Sequence, residues 1–390
     1  VPNLYYANQL VDDFLNILPS EQVHLFPVDE VLSAEMAFSS PEARADRVSA
    51  LNFLMTANAG IVVVPVAGLR KYLPTKETWQ NAQLHWEIGT EVEPEILAQR
   101  LVLMGYERQS MVGKPGEFSI RGSIIDVYPL NAEYPVRVEL FDVEIDSIRY
   151  FEADTQRSLE NLEEVTISPM TDLVFSKADM NHGMMRLQDA LEKRLATAKD
   201  QTETDFLEEY FGQLLSSWEQ GIPTENAHYY TDFLYQQKTT LLDYLPENSL
   251  LFVDDYSRMM ETEREIAREE AEWQTLKIEE MRVFSEQTFG VDFHDQLRKT
   301  ARNTTFFSLF QKGMGNLRFQ EVHNFQYRSM QQFFGQMPLL KAEVDRWQKQ
   351  NQTVVVFVPT KERIQKVEEL FQDFDIPSVV SNWDQLLDGH

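Results

Sequence analysis

Val136-Arg137-Val138-Glu139-Leu140-Phe141 reads as a β-strand with one regular face and one irregular face. Side chains along a strand alternate with period two. Val136, Val138 and Leu140 therefore share a buried face, and Arg137, Glu139 and Phe141 share the other. A Phe on the polar side, four residues from an Arg, breaks the alternation. The flanking sequence extends the β reading. Between Glu117 and Phe151 several short strand-like runs are punctuated at Gly122, at Pro129-Leu130-Asn131 and at Pro135, with no long helical pattern between them. A small, mainly antiparallel β unit is expected there. Within it Phe118 and Ile120 point one way and Arg121 the other, so Arg121 can join Arg137 and Phe141 on the exposed sheet face. Two readings of that face are open. An exposed aromatic beside Arg is the preferred composition of an interface hot spot. Alternatively, Phe141 packs under a neighbouring loop and both Arg are simply solvated.

On either side of this unit the pattern is α/β. Leu10, Val11, Phe14, Leu15 and Leu18 recur at helical spacing, and His24–Val28 suits a short strand. Ser40-Pro41-Glu42 is a helix start, with Ser as cap, Pro in the first turn and an acid near the positive end. Val48, Leu51, Leu54 and Met55 give that helix an apolar face. Ile61–Val64 and Leu250–Val253 are continuous apolar runs of the kind found in strands buried on both faces of a parallel sheet. Helices are predicted around Met185–Leu195 and Phe206–Leu215, and a charged helix over Glu261–Glu272 whose mixed signs suggest a solvated face. Thr304–Phe310 suits a further strand and Gly313–Asn316 a boundary. The tail alternates helix Met337–Gln350, strand Thr353–Val358, helix Lys361–Phe371 and strand Ser378–Ser381, a small separate α/β unit.

Composition narrows the function classes. In 390 residues, 43% hydrophobic and 12% aromatic, there is enough apolar surface for real cores, and the length suggests several compact units. No run approaches the roughly 18 apolar residues of a membrane span. The chain contains no cysteine, which removes disulfides, Cys-type zinc sites and thiol catalysis and suits a reducing cytoplasm. It opens on Val1 without a signal-peptide pattern, as a fragment would. The net charge of −28 disfavours autonomous binding to a phosphate backbone and favours a protein-interaction role. Gly113-Lys114 is followed by Pro115, so no phosphate-cradling loop is present. The seven histidines have no metal-ligand spacing, and no G-x-S-x-G elbow occurs. Asp254-Asp255 closes a predicted strand and reads either as a Mg²⁺-holding pair or as two solvated carboxylates.

The stretch Gly116-Glu117-Phe118-Ser119-Ile120-Arg121-Gly122-Ser123-Ile124-Ile125-Asp126-Val127-Tyr128-Pro129 carries a family resemblance. So do Arg137–Asp142, Glu144–Arg149 and Asp154-Thr155-Gln156-Arg157-Ser158. Together they resemble the UvrB-like domain of bacterial nucleotide excision repair. Asp243-Tyr244-Leu245-Pro246 and Leu250–Asp255 extend the likeness, but Asp254-Asp255-Tyr256-Ser257 stands where UvrB has its Asp-Glu-Ser-His magnesium and base motif. The stretch Phe26–Leu32 is too short for UvrB's damage-probing hairpin. The branch lacking these features is the transcription-repair coupling factors, the Mfd family, and Phe38–Glu42 and Pro65–Pro74 resemble it.

The resemblance implies a multidomain α/β fold. A helicase-like (RecA-like derived) parallel-sheet domain would occupy residues 1–84 and 173–314, with an inserted β-rich UvrA-binding domain at 85–172 and a small α/β domain at 322–390. It implies a non-catalytic adaptor that recruits UvrA through Arg121, Arg137 and Phe141, without cofactor or metal in this segment. The whole parent is implied to be an ATP- and Mg-dependent DNA translocase. It would engage RNA polymerase and DNA through other regions and mask its UvrA surface with its own C-terminal domain. Without that cover, UvrA binding is expected to be constitutive. The rival implied class is a UvrB-like damage-binding ATPase.

Overall fold

The computed structural model describes residues 1–28, 40–130, 132–222, 224–309, 317–325, 333, 335–358 and 360–381. The chain divides into two compact units, 1–315 and 316–390. The sequence-predicted boundary at Gly313–Asn316 and the stretch beyond Val28 up to Ser39 lie outside the described residues.

The first unit is mixed α/β, as expected. Its described strands, in chain order, are β1 (Val23–Leu25), β2 (Ile61–Val63), β3 (Leu84–Glu87), β4 (Glu107–Arg108), β5 (Glu117–Arg121), β6 (Ile124–Val127), β7 (Val136–Phe141), β8 (Glu144–Phe151), β9 (Ser158–Leu162), β10 (Glu164–Ile167), β11 (Leu251–Asp254) and β12 (Thr304–Phe307). Strands β4 to β9 form one six-stranded sheet in sequential order, antiparallel except for the parallel pair β4–β5. From β5 to β9 the short connections suit antiparallel neighbours.

The parallel pairing expected for the flanking runs is present, but as two separate ladders, β1–β2 and β11–β12. Burial on both faces is not observed. Ile61 and Val62 are half-buried, and Leu250 and Phe252 are each 60% exposed. Helices Leu4–Leu15 and Pro41–Thr56 both pack on β1, whereas β11–β12 has an open side. The exposed rings of Phe252 and Phe307 stack on each other there, 6.0 Å apart.

Helix starts follow local chemistry. Ser40 caps helix Pro41–Thr56 by accepting from the Ala43 amide at 3.2 Å, and Val48, Leu51 and Leu54 bury its apolar face. Ser176 and Asp179 form a reciprocal capping box on helix Lys177–Leu195. The helix predicted over Glu261–Glu272 runs from Tyr256 to Glu279 and is not merely a solvated face. Tyr256, Met259, Ile266 and Trp273 are buried, and so is Glu263, which Arg70 neutralises at 3.1 Å.

In the second unit, helices Met337–Lys349 and Lys361–Asp373 pack Met337, Val344, Leu340, Trp347, Phe371 and Ile376 together. The strands expected at Thr353–Val358 and Ser378–Ser381 are not formed among the described residues. Val354 to Phe357 stay 38 to 67% exposed. Among the described residues no strand pairs with this run to build a ladder.

Candidate functional site

The six-stranded sheet has one apolar face. Phe118, Ile125, Val127, Val136, Val138 and Leu140 pack with Leu97 and Leu101 of helix Pro94–Leu103 and with Leu84 and Trp86 of β3. The other face is polar, yet much of its middle is buried as well: Glu117, Ser119, Asp126 and Arg137 are all under 10% exposed. The cross-strand register assembles the outer face. Ser119 lies opposite Asp126, Asp126 opposite Arg137, and Arg137 opposite Arg149. In the next row Arg121 and Glu139 both lie opposite Ile124.

At the centre is Asp126, with no accessible surface. Arg137 grips it with two bonds, Nε to Oδ1 at 2.6 Å and Nη2 to Oδ2 at 2.9 Å. Arg121 adds Nη2 to Oδ2 at 2.7 Å. Both cations therefore share one carboxylate, a charge-assisted arrangement in the fork geometry that Arg favours. The solvated Arg137 of the alternation pattern is not what forms, because Arg137 is 9% exposed. Its guanidinium lies 4.2 Å over the Phe151 ring, and Gln156 folds onto it with Oε1 2.8 Å from Nη2. Gln156 reaches that position from a tight turn at φ 59°, with its own amide on the Glu152 carbonyl. The Asp154–Ser158 motif thus closes the lid over Arg137. The Asp126 bond, with nearby negative charge, raises the pKa of Arg137 against the opposing effect of burial.

Arg121 and Phe141 remain outside that enclosure. The Arg121 side chain keeps 42% of its surface. Phe141 is 78% exposed, so it does not pack under a loop. It ends β7 beside Asp142, whose φ of 60° turns the chain sharply into β8. Between the two residues Arg149 pairs with Glu139 and holds that carboxyl below its usual range. The structure therefore presents an accessible aromatic and a partly accessible guanidinium, with Arg137 as the internal strut beneath them.

A family model described as the UvrB interaction domain matches residues 84–173, the segment that carries this sheet. The chain is 38% identical over 380 residues to the transcription-repair-coupling factor of Bacillus subtilis (strain 168), covering 97% of this chain and 32% of that protein. It is 32% identical over 385 residues to that of Staphylococcus aureus (strain bovine RF122 / ET3-1), with the same coverage of each. The chain belongs to the transcription-repair-coupling factor family. It spans about a third of the length of the curated relatives it matches.

Within this family member the remaining sequence candidates resolve as follows. Asp255 caps helix Tyr256–Glu279 from a left-handed conformation at φ 52°, its side chain accepting from the Arg258 amide at 3.3 Å. That is a structural role for a residue considered as a metal ligand. The pairing of β3 with β10 does gather one His-carboxylate group that spacing could not reveal. Ligand atoms of His85, Glu87 and Glu164 lie within 4.8 Å of one another on an exposed face. Only His85-x-Glu87 is visible along the chain, since Glu164 arrives through tertiary pairing. Buried ion pairs hold the root of the interaction domain to the body. Asp172 accepts from Arg47 at 2.9 Å, with Lys71 at 3.4 Å. Burial alone would raise the Asp172 pKa, but the two cations outweigh it and lower the value to about 2. No helix of the described residues is long and apolar enough to cross a membrane.

Proposed function

We propose that this chain is a non-catalytic adaptor module that recruits UvrA in transcription-coupled nucleotide excision repair, in the bacterial cytoplasm. The observation that carries this is Phe141, 78% exposed on the outer face of the domain that matches the UvrB interaction family. Phe141 supplies area to desolvate, and Arg121 offers donors to carboxylates or carbonyls on the partner. Arg137 acts through Asp126, holding the strands on which the other two sit.

In the whole protein, we place ATP- and Mg-dependent translocation, and the contacts with RNA polymerase and DNA, in other regions with a helicase-like architecture. The C-terminal domain would cover the UvrA face at rest, so release is a population shift between closed and open forms. Capture of UvrA by the 390-residue chain tests this reading. Phe141→Ala should weaken capture by about 2 kcal/mol, roughly 30-fold, and leave the melting temperature unchanged. Undiminished capture by Phe141→Ala and by Arg121→Ala would refute the assignment of this face.

A further inference from the structure

Two β-hairpins turn side by side at one end of the six-stranded sheet. The β5–β6 turn is Gly122-Ser123 and the β7–β8 turn is Asp142-Val143. The Leu140 amide donates to the Ser123 carbonyl at 2.8 Å and ties them together. Residues directly opposite each other across a ladder share a face. The register therefore lays out two rows on the outer face here. The first runs Arg121, Ile124, Glu139. The second runs Phe141, Glu144, Glu91, the last step through an isolated bridge from the loop after β3.

The centre of this array is apolar. Ile124 is half-buried, yet it is not among the side chains packed in the apolar core beneath the sheet. It stands diagonal to Phe141, at the spacing of about 7–8 Å usual for diagonal cross-strand neighbours. That spacing admits one apolar side chain in contact with both. The flanks differ in sign. On one side is Arg121, partly accessible with its Nη2 on Asp126. On the other, Glu144 and Glu91 are exposed and directly opposite each other, and neither forms a salt bridge among the described residues. Like charges so placed are destabilising, and an arriving cation would relieve them. Glu139, by contrast, is already neutralised by Arg149.

We infer, on the reading that UvrA is the partner of this face, that the UvrA surface received here has three parts in line. An apolar side chain enters between Ile124 and Phe141, a carboxylate faces Arg121, and a cation faces Glu144 and Glu91. The opposed flanks give docking one polarity. Turned by half a rotation, the partner would set its acid against Glu144 and Glu91 and its cation against Arg121, and like-charge contacts reject that arrangement.

Association and dissociation rates of purified UvrA on the immobilised 390-residue chain, measured across a range of ionic strengths, test this. Ile124→Ala should weaken capture about tenfold, mostly through faster dissociation, with an unchanged melting temperature. Replacing both Glu91 and Glu144 with Gln should slow association about threefold or more and flatten its decline with salt. Glu208→Gln removes an exposed charge from helix Gln201–Glu219 and should behave as the parent. Phe141→Ala is the reference. If it weakens capture while Ile124→Ala and the double Gln variant keep parental rates, UvrA recruitment stands and the three-part surface is wrong. If Phe141→Ala also binds as the parent does, this face is not the UvrA interface and both fall. Faster association of the double Gln variant would put acids opposite Glu144 and overturn the polarity. Concentration-dependent dimerisation of the chain alone, lost in Ile124→Ala, would make a second copy the occupant instead.

Discussion

Replacing Arg137 with Ala separates a strut from a contact. In the parent, Asp126 has no accessible surface and accepts three bonds, two from Arg137 and one from Arg121. Removing one partner of a buried pair typically costs about 3–5 kcal/mol, because a charge is left desolvated and uncompensated. Here Arg121 stays on Oδ2, which lowers the figure, while the stacking of Arg137 on Phe151 is lost. About 2–3 kcal/mol is the expected loss. It should be local, because Asp126 and Arg137 face each other across β6 and β7. Hydrogen exchange of peptides covering Ile124–Val127 and Val136–Phe141 should accelerate about 30- to 150-fold under native conditions, at one factor of ten per 1.4 kcal/mol. Asp126→Asn in the same background removes the stranded charge and should restore part of the loss, giving a non-additive double-mutant cycle. If Arg137→Ala left the exchange of both strands within twofold of the parent, the strut reading would be wrong and Arg137 would be a solvent-facing contact after all.

Two further outcomes follow from buried groups elsewhere. The Asp172 carboxyl titrates at about 2 in the fold against a usual 3.8, so its stabilisation is fully present above about pH 4 and is lost as pH falls toward 2. That shift corresponds to about 2 kcal/mol, one contribution to the acid limb of a urea-stability profile beside those of other depressed carboxyls such as Glu139. Asp172→Asn should make that limb shallower by about this amount, and an unchanged limb would contradict the pairing. Gly183 lies in helix Lys177–Leu195, where a Cβ would meet Leu234 Cδ2 at 2.6 Å and its Cα at 3.1 Å. Gly183→Ala should therefore destabilise by about 1–2 kcal/mol despite the better helix propensity of Ala, read as a lower melting temperature.

Much of the interaction domain was legible along the chain. Val136, Val138 and Leu140 alternate with polar neighbours, and a one-sided apolar pattern specifies both the strand and its register. Ser40-Pro41-Glu42 announced its helix because capping is local chemistry. What misled was apolar continuity without knowledge of neighbours. Val354 to Phe357 have strand composition but find no ladder among the described residues, and Phe252 has core composition but sits on an open face. The charged helix failed in the opposite sense. Arg70 lies about two hundred residues from Glu263 and Glu270, so no local window can reveal that it pairs with both and accompanies Glu263 into the interior.

The same division runs through the functional face. Residue order alone determined that Arg137 and Phe141 share one side of a strand, because strand periodicity requires only near neighbours, and it allowed Arg121 to join them. The tertiary structure decided that they are not equivalent. Asp126 arrives from the adjoining strand and Gln156 from the turn after β8, and together they enclose Arg137 while leaving Phe141 in solvent. Burial is a property of what surrounds a side chain, and for a charged group it also depends on which opposite charges the fold brings within hydrogen-bond distance.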